Sequence, residues 1–387
     1  MKVLYILNST IRQGGATKSF LILLNGLIRK GVTPTVVVPD RNGVFKDLQK
    51  AGIETVALPY RAAAYPPIYA ARDYLLFLPR TIVHQYLNWR ASRKLYKMLK
   101  NRSFDIIHTN VSVIGLGFKL SRRLSIPHIY HFREYADKDF RLYYFPSKKR
   151  IFQELDQQRS YSVCITKDIQ AYHRQDNTKR SRVIYNGIHA EVECLSPQKH
   201  EAPYFLFAGR VEPAKDLLQI LRAYTIGQIK TTLYVAGEML NEDYLNKVRL
   251  FIDQHGLNNR VSLLGPRDDI ESLMQQASAI IISSRNEAFG RCMAEAMFNG
   301  CLVIGRNTGG TKEQFDNGLK LEGEEIGLRY ESEEDLARIL SEVESGRDAF
   351  EPYTERAFHT VNTLYTSEVN ISETYHFYED ILNERID

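Results

Sequence analysis

Short, densely apolar runs alternate with longer amphipathic stretches along most of the chain. Val3–Leu7 reads as a buried strand, and Lys18–Arg29 as a helix with Phe20, Leu21, Leu24 and Ile28 turned inward and Gly31 as its C-terminal stop. Thr33–Val38 is the next strand, and more are predicted at Glu54–Leu58, Asp105–His108, His128–His131, Ser162–Ile165 and Arg182–Tyr185. The rhythm restarts at Tyr204–Ala208 and runs on through Thr232–Ala236, Val261–Leu264, Ala279–Ile282 and Leu302–Ile304. Strands alternating with helical stretches predict an α/β protein with parallel sheets covered on both faces. The restart predicts two Rossmann-like domains with a cleft between them, and ligands at the carboxyl ends of the strands. The polar stretch 191–203, with Pro197 and Pro203, has the composition of a linker. The expected division is an N-terminal domain at 1–190, a linker at 191–203, a C-terminal domain at 204–365 and a final helix at 366–387 that packs back towards the N-terminal domain.

Composition agrees: 387 residues with 44% hydrophobic and 25% charged content are ordinary globular material for two or three domains. No apolar run approaches the ~18 residues that span a bilayer, and Met1–Leu7 lacks the length and cleavage site of a signal peptide, so a cytoplasmic location is expected. Cys164, Cys194, Cys292 and Cys301 form no C-x-x-C pair and have no histidines at zinc spacing, as expected of reduced thiols. Charge divides the chain more sharply than its total of +5 shows. Residues 1–190 hold 32 Lys and Arg against 12 Asp and Glu, a balance of +20, and residues 191–387 hold 19 against 34, a balance of −15.

Three segments carry candidate chemistry. In the first, Ser284 to Met297, a strand runs into a loop with Glu287, a turn at Gly290 and a helix beginning near Arg291 with Glu295 in its early part. The glycine permits close approach of a ligand to the backbone, and the uncapped N–H groups of the helix attract a phosphate. Two glutamates would repel that phosphate, so they are expected to accept hydrogen bonds from hydroxyls on either side of it, sugar at Glu287 and ribose at Glu295. In the second, Arg210 and Lys215 follow the strand Tyr204–Ala208, where fixed cations would stabilise a diphosphate leaving group. The third is the loop with Gly14 and Gly15, which is neither a Walker A loop nor G-x-G-x-x-G and reads as a strand-to-helix turn against which a substrate can lie.

The Glu-x7-Glu arrangement followed by "EAM" resembles the donor-site signature of the retaining glycosyltransferases of family 4, which have the GT-B fold. Matching segments occur in the same order: "GGATKSF" at 14–20, "HFREY" at 131–135, "YNGI" at 185–188, "AGRVEPAKD" at 208–216 and "NTGGTKE" at 307–313. The resemblance implies two Rossmann-like domains whose parallel sheets face each other across a cleft, the first holding an acceptor and the second a nucleotide-sugar donor. It implies that His131 contacts the transferred sugar and that Arg210 and Lys215 bind the diphosphate. Gly14 and Gly15 would border the acceptor and the donor phosphate. Glu287, Phe289, Gly290, Glu295, Gly309 and Gly310 complete the donor site, with Arg133 and Glu134 close behind His131. The reaction implied is transfer of a sugar to an acceptor hydroxyl with retention of configuration, without cofactor or metal.

The stretch 61–102 carries nine basic residues and one acid, Asp73, interleaved with Tyr65, Tyr69, Tyr74, Phe77, Tyr86, Trp89 and Tyr96. That mixture suits the headgroup layer of an anionic membrane, and equally a solvated helical hairpin whose aromatics pack inward. A nucleic-acid partner has no motif to support it. Asp137-Lys138-Asp139 has the form of a D-x-D metal motif but lies in a polar loop and reads as surface charge. The expectation is thus a glycosyltransferase of cell-envelope polysaccharide or glycolipid synthesis, with a saccharide or lipid-linked saccharide acceptor, peripheral on the inner membrane face. Its rivals are a catalytically silent partner subunit, a sugar-nucleotide epimerase and, disfavoured by the missing G-x-G-x-x-G, an oxidoreductase.

Overall fold

The computed structural model describes residues 1–12, 14–68, 71–188 and 203–383. The expected linker at 191–203 lies outside the described residues apart from Pro203. The chain forms two compact units, Met1–Gly187 together with Ser367–Asp387, and Ile188–Thr366.

The first unit is built on β1 (Lys2–Ile6), β2 (Thr33–Val38), β3 (Glu54–Ala57), β4 (Ile106–Thr109), β5 (His128–Phe132), β6 (Ser160–Cys164) and β7 (Ser181–Val183). They make one parallel sheet in the order β3-β2-β1-β4-β5-β6-β7. The second unit repeats the plan with β8 (Tyr204–Ala208), β9 (Thr232–Ala236), β10 (Val261–Gly265), β11 (Ala279–Ile282), β12 (Val303–Arg306) and β13 (Leu328–Tyr330), in the order β10-β9-β8-β11-β12-β13 and again parallel. Helices join the strands. Val3, Tyr5, Val36 and Val38 enter the first core, and Phe205, Phe207, Val235 and Ile281 the second.

Strand order fixes where ligands can lie. In the first sheet β1 sits between β2 and β4, and in the second β8 sits between β9 and β11, so the connections diverge at these strands and leave a crevice at their carboxyl ends. Gly14 and Gly15 follow β1, Arg210 and Lys215 follow β8, and Glu287 follows β11, so all of them are delivered to such ends.

The helix Gly15–Arg29 begins a turn earlier than the periodicity predicts, and its seam is Phe20, Leu23, Leu24 and Leu27. Ile28, expected inward, is exposed, and Leu21 is only partly buried, because both flank that seam. Across the seam lies the helix Ser367–Leu382, whose Ile371, Phe377, Tyr378 and Ile381 join the first core. The contact is close: a Cβ on Gly26 would lie 2.0 Å from Cδ1 and 2.4 Å from Cγ1 of Ile371. A branched side chain held in a helix cannot rotate both atoms away, so Gly26→Ala should overpack the contact and lower stability by about 1–3 kcal/mol. Chemical denaturation checks this; an unchanged midpoint would mean that the final helix does not seat against the helix Gly15–Arg29.

Candidate active site

In the second unit the loops after β8, β11 and β12 are laced together by charge. Asp216 is buried in the left-handed conformation (φ 50°) just before the helix Leu217–Ile226. Arg285 donates to both its carboxylate oxygens, at 2.8 and 3.1 Å, and Arg306 approaches one of them at 3.4 Å. The Arg285 backbone N–H donates to the Ala214 carbonyl at 3.0 Å, and the Ser283 hydroxyl to the Lys215 carbonyl at 2.6 Å. These bonds hold Lys215 beside the following loop, where its ammonium meets the Glu287 carboxylate at 2.6 Å.

Both members of that pair are largely buried. Burial opposes each charge, but their mutual attraction outweighs it, so the Lys215 ammonium is held above and the Glu287 carboxyl below its ordinary value. Both therefore stay ionised at neutral pH. Arg210, also predicted for the site, is exposed at the end of β8 and pairs with Glu212 at 3.0 Å.

Gly290 caps the helix Arg291–Phe298 at φ 91°, and a Cβ there would come within 2.9 Å of the Gln314 amide, so the turn requires glycine. Glu295 lies on that helix and pairs with Arg291 at 2.9 Å, leaving its carboxylate half-exposed one turn from the helix start. Three expected members of the site take different parts. The Gly310 N–H is committed to the Glu287 carbonyl at 2.6 Å, and a Cβ on Gly310 would lie 2.5 Å from the Phe289 carbonyl, so Gly310 braces the Glu287 loop instead of offering a donor. Phe289 is buried with its ring edge-on to Tyr365 at 5.6 Å, so its side chain supports the loop from behind. Gly309 is the first residue of the helix Gly309–Glu322, at φ 51°.

In the first unit His131 is fully buried on β5. Its Nδ1 lies 3.1 Å from Nε2 of His108 and 3.4 Å from the Arg133 guanidinium. Arginine only donates, so Nδ1 accepts and the proton of a neutral His131 resides on Nε2. That Nε2 is buried without a hydrogen-bond partner among the described residues. His108 in turn accepts at Nδ1 from the Tyr378 hydroxyl at 2.5 Å, a side chain of the final helix. Burial, reinforced by Arg133, depresses both imidazoles far below their ordinary value, so both are neutral. This matches a hydrogen-bonding role for His131 better than a basic one.

Arg133 reaches Asn110 at 3.0 Å and Asn186 at 2.5 Å, linking the ends of β4 and β5 to the segment after β7. Glu134 accepts from the Ser112 N–H and hydroxyl at 2.9 and 2.7 Å, and burial raises its carboxyl to about 7. Gly14 caps the helix Gly15–Arg29, and the nearest atom to a Cβ there would be 3.5 Å away, so packing alone does not demand glycine at 14. Asp137 and Asp139 are half-buried acceptors for the Tyr172 hydroxyl and the Tyr135 N–H, not the surface charge expected. Among the described residues no cluster of three or more His, Cys, Asp or Glu could hold a metal ion.

Asp216, Arg285 and Arg306 escaped the sequence reading. A short polar residue just before a helix is usually taken for a cap, and only the packing of three loops shows that this one anchors two arginines.

Residues 13–192 match the model of Glycosyltransferase Family 4, and residues 196–359 that of Glycosyl transferases group 1. The chain belongs to this glycosyltransferase family, and its two Rossmann-like units are those of the GT-B fold. It is 24% identical to an uncharacterised glycosyltransferase of Methanocaldococcus jannaschii over 74% of this chain and 81% of the relative. It is 27% identical to the UDP-Gal:alpha-D-GlcNAc-diphosphoundecaprenol alpha-1,3-galactosyltransferase of Escherichia coli over 58% of this chain and 64% of that one. Among solved structures it resembles Anabaena HepE in complex with UDP, with a TM-score of 0.76 and 19% identity over 98% of this chain and 100% of that one.

The Lys215–Glu287 pair has a calculable pH signature. A carboxyl with a lowered folded pKa contributes stability that is present above its unfolded value, about 4.3, and is lost as pH falls through the folded value. In Lys215→Met the carboxylate stays buried without its cation. At pH 7 the variant should lose on the order of 2–3 kcal/mol, less than a fully buried pair because Lys215 is partly solvated. The deficit should shrink as pH falls through the raised Glu287 value of the variant and vanish only below the lowered value of the wild type, where both proteins carry a protonated Glu287. Denaturant unfolding across this range measures it; a pH-independent deficit would mean that the two charges are not coupled.

Proposed function

We propose that the chain transfers a sugar from a nucleoside diphosphate sugar to an acceptor hydroxyl with retention of anomeric configuration. The observation that carries the proposal is the ionised Lys215–Glu287 pair at the β8 and β11 strand ends, beside the N-terminus of the helix Arg291–Phe298. Lys215 has three N–H bonds, and pairing with Glu287 leaves donors for a phosphate. Arg210, exposed at the same strand end, supplies a planar fork for the same diphosphate. Negative charge that develops as the sugar–phosphate bond breaks is met by these cations and by the helix N–H groups. The acceptor oxygen forms its bond to the anomeric carbon on the face that the diphosphate leaves, and the acceptor proton passes to a diphosphate oxygen. Glu287, kept ionised by Lys215, accepts hydrogen bonds from sugar hydroxyls, Glu295 accepts from the ribose, and His131 donates from Nε2 to the sugar. No metal ion is needed, since Arg210, Lys215 and the helix terminus supply the positive charge.

The relatives support the substrate classes. Anabaena HepE binds UDP, and the Escherichia coli enzyme is named for transfer to a sugar on a diphosphoundecaprenol carrier. We take the acceptor here to be a saccharide of that lipid-linked class, met at the inner face of the cell membrane.

Calorimetric titration with UDP, GDP, ADP and dTDP identifies the donor base and then separates the two glutamates. Glu295→Gln should weaken nucleoside diphosphate binding roughly tenfold, since hydrogen bonds to a charged group contribute about 1.5 kcal/mol or more. Glu287→Gln should leave that affinity nearly unchanged and instead lower kcat with the complete donor. Wild-type affinity in Glu295→Gln would leave Glu295 as a mere partner of Arg291. A second expectation is that turnover persists in excess EDTA; complete loss, reversed by magnesium or manganese, would defeat the metal-free reading.

A further inference from the structure

The stretch 61–102, expected to be either a membrane surface or an inward-packed hairpin, contains one continuous helix, Ala71–Leu99. Its 29 residues extend about 43 Å at 1.5 Å per residue. One side, with Asp73, Thr81, Ala91, Leu95 and Leu99, is buried, and the helix packs against Leu116–Leu124. The opposite side is not polar. At about 100° per residue, Leu75, Leu78, Ile82, Tyr86 and Trp89 fall in a single stripe, and they are 83, 65, 61, 55 and 49% exposed. Leu78, Ile82, Tyr86 and Trp89, with Phe145, line a shallow apolar groove of about 640 Å³. Exposed Phe140 and Tyr143 precede Phe145 on a segment joined to Tyr65 through the Tyr143 carbonyl at 2.7 Å.

The charges on this helix carry one sign. Its single acid, Asp73, is buried and paired with Arg80 at 2.7 Å. Arg72, Arg90, Arg93, Lys94 and Lys97 are exposed, and the Arg93 guanidinium lies over the Trp89 ring at 4.3 Å from its centre. Tyr74, Tyr86 and Trp89 face outward, whereas Phe77 is partly buried against Tyr65. An exposed apolar stripe of this length on a soluble surface marks an interaction site. A second copy of the chain suits it poorly, because a two-fold contact through the stripe would bring this cationic helix against itself. An anionic bilayer meets both features, with hydrocarbon for the stripe and phosphate for the flanking cations.

We infer that the helix Ala71–Leu99 lies in the plane of an anionic bilayer surface, with Leu75, Leu78, Ile82 and Trp89 below the headgroups and Arg72, Arg90, Arg93 and Lys97 among the phosphates. This goes beyond the transfer reaction and is tested without it. No described helix is long and apolar enough to cross a membrane, so the contact is peripheral.

The chain has one tryptophan, Trp89, and it stands on the proposed face. With vesicles of equal parts phosphatidylglycerol and phosphatidylcholine, its emission should shift to shorter wavelength and be quenched by brominated acyl chains. Vesicles of phosphatidylcholine alone should bind roughly tenfold or more weakly, and added salt should release the protein from the anionic ones. Replacing the exposed Leu75, Leu78 and Ile82 together by Gln should cut partitioning roughly tenfold or more without altering nucleotide binding. Emission that ignores the vesicles, equal binding to both compositions, or unchanged partitioning of the triple variant would overturn the inference. So would a vesicle-independent shift that grows with protein concentration while the chain sediments as a dimer. Because the readout is binding, a protein inactive in transfer can still satisfy it, and loss of vesicle binding with transfer to a water-soluble acceptor intact would defeat this inference alone.

Discussion

A buried carboxylate needs cations, and at the mouth of the second sheet that requirement organises the loops. Asp216 is almost without solvent, and an isolated ion there would cost several kcal/mol. Arg285 comes from the loop after β11 and Arg306 from the end of β12, so stabilising one charge draws three strand ends together. Lys215 is the residue before Asp216 and Glu287 lies two residues after Arg285, so the Lys215–Glu287 ion pair is placed by its immediate neighbours in the chain. The site's geometry thus derives from an ion pair that need not touch a substrate. Removing either arginine would leave Asp216 short of compensation and loosen the loops that hold Lys215 and Glu287.

The first unit reaches a similar rigidity with neutral groups. Tyr378, His108 and His131 form a buried chain in which each proton position follows from the next partner, and Arg133 closes it at one end. A low dielectric strengthens such a chain and penalises any unsatisfied member. Nε2 of His131 is the one ring nitrogen of this chain of groups left without a partner among the described residues, which is why the proposed contact with the sugar falls there.

Much of this was legible in the residue pattern. All twelve predicted strands are present within two residues of their expected ends; the central ones, such as β1 and β11, are buried, nearly continuous apolar runs. The thirteenth, β13, Leu328-Arg329-Tyr330, was not read from the sequence. Glu287 and Lys215 were each legible as chemistry, but their pairing joins positions 72 residues apart and no local period records it. Phe289 and Gly310 look like ligand residues in the motif; that the Phe289 ring packs on Tyr365 and the Gly310 N–H bonds the Glu287 carbonyl is visible only once the atoms behind them are known. The stretch 61–102 was ambiguous for a different reason. Composition cannot tell an aromatic that faces the core from one that faces out, since both occur at helical spacing.

The helix Ser367–Leu382 belongs to the first unit although the whole second unit precedes it in the chain. On the ribosome the first unit accordingly emerges without Ile371, Phe377, Tyr378 and Ile381 to cover the helix Gly15–Arg29 and to orient His108. Everything needed for the second core, by contrast, has been synthesised before that helix appears. The order of synthesis and the order of completion are reversed: the unit made first is finished last, and its apolar seam stays uncovered while the other unit is being made.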